Sequence, residues 1–108
     1  MPPGFELPPV DPTFGVHVVF VSLPRREAVY FTVLLESYEG IASFRTQDPE
    51  HVPGRTLVAV LIPPDFAHDA VAVLEETART SGVTQHAPTP ADLIELRVAL
   101  EVEDEQAR

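Results

Sequence analysis

A chain of 108 residues, 44% hydrophobic and 22% charged, has the size and composition of one globular domain with its own core. The absence of cysteine excludes disulfides, thiolate nucleophiles and thiolate metal sites. The net charge is −10, all seven basic residues are arginine and only Arg25 and Arg26 are adjacent, so nucleic acid and anionic membranes are disfavoured as partners.

The first segment, residues 1–12, contains five prolines and little to bury, which predicts a disordered Pro-rich arm. It has neither the basic start nor the continuous apolar stretch of a signal peptide. No part of the chain approaches the roughly 18 apolar residues that a membrane span needs. We therefore expect a cytoplasmic protein, and the use of arginine without lysine, with many Ala, Val and Pro, indicates a GC-rich bacterial genome.

Residues 14–23 are almost continuously apolar, as in a strand covered on both faces. Pro24 suits the first turn of a helix, and Gly40 suits the residue that ends it. Between them, apolar residues at helical spacing predict the buried side of the helix. These residues are Ala28, Phe31, Leu34, Leu35 and Tyr38.

After Gly40 the apolar period changes from 3.6 to 2 residues. Residues 41–46 predict a short strand, 47–54 a turn-rich connection, and 55–62 a second strand. Asp65 is predicted to cap a second helix, which Ser81 and Gly82 would close. Its predicted buried side comprises Phe66, Ala70, Val73, Leu74 and Thr77.

The C-terminal segment fits two structures. Five apolar residues alternate with five others from Ile94 to Glu103, which favours a half-exposed strand. Upstream, Thr89, Pro90 and Asp92 form a good helix start, and Leu93, Leu96 and Leu100 would then be a helical stripe. We favour the strand, followed by an acidic tail over residues 103–108.

The resulting order, β-α-β-β-α-β, predicts a single ferredoxin-like α+β domain over residues 13–102. Its four-stranded antiparallel sheet would carry both helices on one face. The other face of such a sheet is often covered by a second copy or a partner, and we expect a homo-oligomer or protein partner to bind there or at an edge strand.

One stretch resembles a small family of uncharacterised bacterial domains. The similarity covers roughly residues 29–74 and implies a fold order and a bacterial source but no activity. It rests on a Tyr-Phe pair, a Leu-Glu-x-Tyr-x-Gly helix end, a Thr-x-Asp-Pro turn and a Pro-Pro-Asp helix start. Here these are Tyr30-Phe31, Leu35-Glu36, Tyr38, Gly40, Thr46, Asp48-Pro49 and Pro63-Pro64-Asp65.

No combination of residues indicates catalysis or a cofactor. The four histidines, His17, His51, His68 and His86, lack the spacing that places two imidazoles on one helix face, so we predict no metal site. There is no phosphate-binding glycine motif and no serine in a nucleophile-elbow context. We therefore expect no cofactor and favour a function other than catalysis.

The favoured hypothesis is a non-catalytic protein-interaction or regulatory module, with Tyr30, Tyr38 and Phe44 as candidate partner-binding residues. The first alternative is an ACT-like sensor that binds a small metabolite at a dimer interface, with Thr46, Asp48 and Asp65 as candidate ligand-binding residues. The second alternative is a small enzyme that uses Glu36, Asp48 or His51.

Overall fold

The computed structural model describes residues 5–38 and 42–106. Within them the chain forms an α+β domain with a four-stranded antiparallel sheet, as predicted, and with three helices where two were expected. Short 3-10 turns, Arg25–Glu27 and Pro64–Phe66, lead into the first two helices. The elements are β1 (His17–Pro24), α1 (Ala28–Ser37), β2 (Ser43–Val52), β3 (Arg55–Ile62), α2 (Ala67–Ser81), β4 (Thr84–His86) and α3 (Pro90–Gln106).

The sheet has the order β2-β3-β1-β4, with every neighbouring pair antiparallel. β1 and β3 pair along their whole length, from His17 opposite Ile62 to Pro24 opposite Arg55. The short strand β4 adds three residues to the outer side of β1. The two longest apolar runs of the sequence are therefore the two central strands.

The first core lies between the sheet and the helices α1 and α2. Alternate residues of β1 and β3 enter it, because successive side chains of a strand point to opposite faces. The fully buried residues of this cluster are Val19, Val21, Leu23, Phe31, Leu35, Val58, Val60, Ile62, Ala70, Leu74 and Val83. The helical stripes predicted from sequence supply Phe31 and Leu35 from α1, and Ala70 and Leu74 from α2.

The second core lies on the opposite face of the sheet, where α3 packs. The remaining alternate residues of β1 and β3 enter it: Val18, Phe20, Leu57, Ala59 and Leu61. Leu96 of α3 is fully buried against them, and Leu93 and Leu100 pack beside it. The two-sided burial predicted for the central strands is confirmed. Within the described residues the chain's own helix covers the face that we expected a partner to cover.

The preference for a strand over residues 94–102 is wrong. Thr89 and Asp92 form the helix start that the sequence also offered: the Thr89 Oγ1 accepts from the Asp92 N–H at 3.2 Å, and an Asp92 carboxylate oxygen accepts from the Thr89 N–H at 2.9 Å. The alternation arises because α3 carries apolar residues on two sides. Ile94, Val98 and Val102 are exposed opposite the buried stripe. The fourth strand lies earlier, and Glu103 to Gln106 of the predicted tail belong to α3.

The predicted connection over residues 47–54 is largely strand. β2 continues to Val52, with register shifts on either side of Asp48, and only Pro53 and Gly54 turn the chain into β3. An edge strand tolerates Pro49 because a missing backbone donor is harmless on an unpaired side. Gly54 has the positive φ, 78°, that a tight turn needs.

The predictions for the helix ends have different outcomes. Gly82 ends α2 in the left-handed conformation, with φ 71°, as expected. Asp65 lies inside the 3-10 turn before α2 and makes no capping hydrogen bond, so its predicted role as a cap is wrong. Gly40, the predicted end of α1, lies outside the described residues.

Part of the predicted N-terminal arm contacts the domain. Phe5 and Leu7 pack against the first core. Gln85 of β4 donates to the backbone oxygen of Glu6 at 2.8 Å and accepts from its N–H at 2.9 Å. Along residues 5–38 and 42–106, no helix has the length and apolar character that crossing a membrane requires.

We predict that Leu96→Ala lowers the free energy of unfolding by about 2–5 kcal/mol, because it leaves a cavity beneath α3. The matched control is Ile94→Ala, which removes an aliphatic side chain of the same helix from an exposed position and should cost no more than about 0.5 kcal/mol. Urea unfolding followed by circular dichroism measures both. Equal losses in the two variants would contradict the packing of α3 on the sheet.

Candidate functional site

Six polar side chains gather on the α3 face of the sheet, between the start of α3 and the end of β2. We call them the polar cluster: Ser22, His51, Arg55, Thr84, His86 and Asp92. They come from all four strands and one helix. Ser22 follows Val18 and Phe20 at two-residue spacing on β1, which places its side chain on the same face as these core residues.

Ser22 is the centre of this cluster. Its Oγ lies 2.8 Å from His51 Nε2 and 2.8 Å from Arg55 Nε. A guanidinium can only donate, so the Ser22 oxygen accepts from Arg55. The tautomer of His51 sets whether the Ser22 hydroxyl donates to Nε2 or accepts from it.

Arg55 ties three parts of the sheet together. Its Nη2 donates to the backbone oxygens of Ser22, at 2.9 Å, and of Gly82, at 3.0 Å, with Thr84 Oγ1 at 3.4 Å. The guanidinium therefore joins β3, β1 and the connection between α2 and β4. Hydrogen bonds to a charged donor are among the stronger ones in proteins. Arg55 therefore stabilises the end of the sheet where β4 begins beside β1.

The other half of the cluster joins β4 to α3. His86 Nε2 lies 3.3 Å from an Asp92 carboxylate oxygen, and the His86 ring meets the His51 ring edge-on at 5.6 Å between centroids. The backbone N–H of Thr89 donates to Asp92 and is the main reason why the pKa of Asp92 is lowered; the Thr89 hydroxyl and His86 act in the same direction against partial burial.

A serine beside a histidine raises the question of nucleophilic chemistry. A nucleophile needs an open approach to its oxygen and a third group that orients the histidine. Ser22 is only 7% exposed, and its oxygen is already held by Arg55. The carboxylate of the polar cluster, Asp92, pairs with His86, and none of the described carboxylates forms a hydrogen bond with His51. This geometry suits a polar network that orders the sheet.

The candidate partner-binding residues differ in their exposure to solvent. Tyr30 and Tyr38 are exposed, at 55% and 42%, whereas Phe44 is partly buried and packs against the first core. Tyr30 has two exposed valines beside it: Val29 and Val33, at 74% and 57%. We call Val29, Tyr30 and Val33 the α1 outer surface. It lies opposite the side of α1 that carries Phe31 and Leu35 into the core.

The candidate ligand-binding residues do not come together. Thr46 and Asp48 are exposed on β2, and Asp65 is exposed in the turn before α2. Asp48 pairs with Leu57, five residues before the end of β3, so roughly 17 Å of strand separates it from the start of that turn. This separation keeps Asp48 and Asp65 from contributing to one small-molecule site.

The residues of the enzyme alternative are also apart. Glu36 is exposed on α1, on one face of the sheet, while His51 belongs to the polar cluster on the other face. Asp48 is exposed on the edge strand, and its carboxylate accepts from the Glu50 N–H at 3.1 Å. These residues do not form an acid–base pair in this structure.

An open pocket of about 660 Å³ lies between the N-terminal segment and the strands β1 and β4. Its lining is mostly apolar, with Glu6, Gln85 and His86 as its polar side chains. Its walls include Leu7, Pro8, Pro9, Val18, Phe20, Ala87 and Pro88. Within the described part of the chain, no group of three or more His, Cys, Asp or Glu side chains is arranged to hold a metal ion.

Sequence reasoning missed most of the polar cluster. Thr89 and Asp92 were identifiable from their spacing, and His51 from its residue type. Ser22 and Arg55 gave no signal, because a serine in an apolar strand and an arginine after a turn are ordinary. Their partnership depends on the pairing of β1 with β3.

No protein-family model matches the chain, and no curated protein or solved structure shows significant similarity to it. The resemblance to a family of bacterial domains therefore stays a prediction.

We predict that Asp92→Asn destabilises the protein at neutral pH and that the difference from wild type shrinks as the pH falls. A carboxylate whose pKa is lowered on folding adds stability above the pKa of the unfolded state, and this stability is lost as the pH drops through the folded pKa. Urea unfolding at several pH values between about 7 and 3 measures this difference.

Glu101→Gln is the control, because it removes the same charge from an exposed position of α3. A constant difference between wild type and Asp92→Asn over the whole pH range would contradict the assigned interactions of Asp92.

Proposed function

We propose that this protein is a non-catalytic protein-interaction or regulatory module of the bacterial cytoplasm, and that it binds its partner through the α1 outer surface. The observation that carries this proposal is the exposure of Val29, Tyr30 and Val33 side by side on one helix. Neighbouring exposed apolar residues of this kind are a feature of protein interfaces, whereas single ones are ordinary.

We infer that the domain is a ferredoxin-like β-α-β-β-α-β unit extended by α3. Two features support this inference. β3 lies between β1 and β2, and β1 lies between β3 and β4, as in two interlocked split β-α-β units. α1 and α2 also share one core. This architecture usually leaves the second sheet face open for a partner; here α3 packs there, which directs partner binding to the outside of a helix.

The energetics favour occupation of the α1 outer surface. Burying a valine or a similar side chain contributes roughly 1.5–3 kcal/mol, so three neighbouring apolar residues can supply much of the affinity of a modest interface. Tyrosine adds a hydroxyl and a large ring with few rotatable bonds, which makes Tyr30 the expected anchor.

The proposal predicts that a photo-crosslinking phenylalanine analogue at Tyr30 gives a discrete protein adduct in host cells. The same analogue at Arg79, a similarly exposed position on α2, should give none. Adding Val33→Ser should remove the Tyr30 adduct, because the partner loses its neighbouring contact. Equal labelling at both positions, or an adduct that survives Val33→Ser, would contradict this role of α1.

The metabolite-sensor alternative is favoured by one observation, the pocket beside β4. Its volume of about 660 Å³ lies within the usual range for small-molecule sites, and a mainly apolar wall with a few polar side chains, here Glu6, Gln85 and His86, is typical of them. The site differs from the one predicted at Thr46, Asp48 and Asp65. A small, mostly apolar metabolite with one or two hydrogen-bonding groups would suit it.

If the sensor alternative holds, a native mass spectrum of the purified protein should show extra mass per 11.8 kDa chain that vanishes on denaturation. Ala87→Trp, which fills the pocket, should abolish it. Ala91→Trp, at an exposed position outside the lining, should not. The absence of extra mass in wild type, or its persistence in Ala87→Trp, would contradict a ligand in this pocket.

A further inference from the structure

The α1 outer surface has opposite charges at its two ends. Arg26 lies in the turn that leads into α1, and Glu36 lies in the last turn of the helix. Steps of three or four residues connect Arg26, Val29 or Tyr30, Val33 and Glu36, which places them along one side of the helix. The surface therefore consists of a positive end, an apolar middle and a negative end.

Within residues 5–38 and 42–106, neither end charge has a close ion-pair partner. Arg26 is 83% exposed and lies 3.9 Å from its neighbour Glu27, at the limit for an ion pair. Glu36 is exposed and has no ion-pair partner among the described residues. Both groups are free to meet charges on another molecule.

We propose that the α1 outer surface binds the same surface of a second copy of this chain, with the two helices antiparallel about a two-fold axis. This proposal rests on the proposed function and names its partner. Val29 and Val33 are symmetric about residue 31, and so are Arg26 and Glu36. One axis at that level brings Val29 against the partner's Val33 and Arg26 against the partner's Glu36.

The pairing forms every contact twice, as an isologous interface requires. Arg26 and Glu36 are about 15 Å apart along the helix, so two ion pairs flank a central apolar contact. Tyr30 lies next to the axis and packs against the partner helix at its centre. The helix dipoles also run in opposite directions, which adds a small favourable contribution.

The charges favour antiparallel pairing of α1 over the other ways in which two copies could pair. Parallel pairing of α1 would place Arg26 against the partner's Arg26. Antiparallel self-pairing of the exposed α3 stripe would place Glu95 against the partner's Glu101, because these two acids are symmetric about Val98. The edge strand β2 is interrupted by Pro49 and by two register shifts, which hinder pairing between strands.

The contact area of α1 and the net charge of the chain determine the expected affinity. A ten-residue helix offers less contact than the roughly 1,200–2,000 Å² of a stable interface, so we expect a dimer with a Kd in the micromolar range. The net charge of −10 on each copy opposes association. Salt at about 0.15 M screens this repulsion beyond about 8 Å, while the contacting pairs remain close enough to attract.

The test is analytical ultracentrifugation of the full chain at about 0.15 M salt, with charge reversals at the two ends. Wild type should show a monomer–dimer equilibrium. Arg26→Glu and Glu36→Arg should each weaken it by about tenfold, because each creates two like-charge contacts. The double variant Arg26→Glu/Glu36→Arg should recover wild-type affinity, and a mixture of the two single variants should dimerise better than either alone.

The single variants also separate local pairing from net charge. Each changes the net charge by two units, in opposite directions. Glu36→Arg reduces the overall repulsion and should nevertheless weaken the dimer. Val33→Ser should abolish dimerisation without changing the unfolding midpoint, and the matched control Val98→Ser, equally exposed on α3, should leave the dimer intact.

Several outcomes would overturn the proposal: a wild-type monomer up to high micromolar concentration, no recovery in the double variant, or loss of the dimer in Val98→Ser but not in Val33→Ser. A monomeric wild type that still gives a Tyr30 adduct with a different protein would overturn self-pairing alone. The absence of any adduct together with a monomer would overturn the proposed function as well.

Discussion

The structure depends on burying two central strands on both faces. Every residue from Val18 to Leu23 is buried, and so is every residue from Thr56 to Ile62. A sheet with such strands cannot leave either face to water, because each exposed face would present several large apolar side chains. The chain meets this requirement with α1 and α2 on one face and α3 on the other.

This arrangement determines where polar groups and partners can be placed. α3 covers the middle of the second face, and beyond its start the sheet carries the polar cluster, where Arg55, Ser22 and His51 satisfy one another. None of the described buried side-chain nitrogen or oxygen atoms lacks a hydrogen-bond partner. The helices cover both faces of the sheet, and the described part of the chain keeps two clusters of exposed apolar residues, on the outer sides of α1 and α3.

The sequence predicted the central part of the fold well and its end poorly. The strands β1 and β3 and the helices α1 and α2 have strong apolar patterns because each buries a continuous surface. The pattern of α3 predicted a strand because Ile94 and Val98 lie on its exposed side and Leu96 and Leu100 on its sheet side. Together the two helical stripes imitate the alternation of a strand.

The candidate site was predictable only in part. Tyr30 could be placed outside the core because helical spacing assigns Phe31 and Leu35 to the inside. The polar cluster could not be predicted, since it joins Ser22 to Arg55 and His86 to Asp92 across strands whose pairing no local pattern specifies. The full length of β2 could not be predicted from sequence either, because an edge strand can contain the proline and polar residues that are typical of a loop.

The chain covers both faces of its own sheet, and we propose that it associates through the outside of α1. Hydroxyl-radical footprinting at low and high protein concentration tests it most directly. We expect Phe20, beneath α3, to be protected at every concentration, and Tyr30 to become protected only as the concentration rises. Oxidation of Phe20 at low concentration, with protection appearing on association while Tyr30 stays reactive, would show that the sheet face is the interface and would contradict the account.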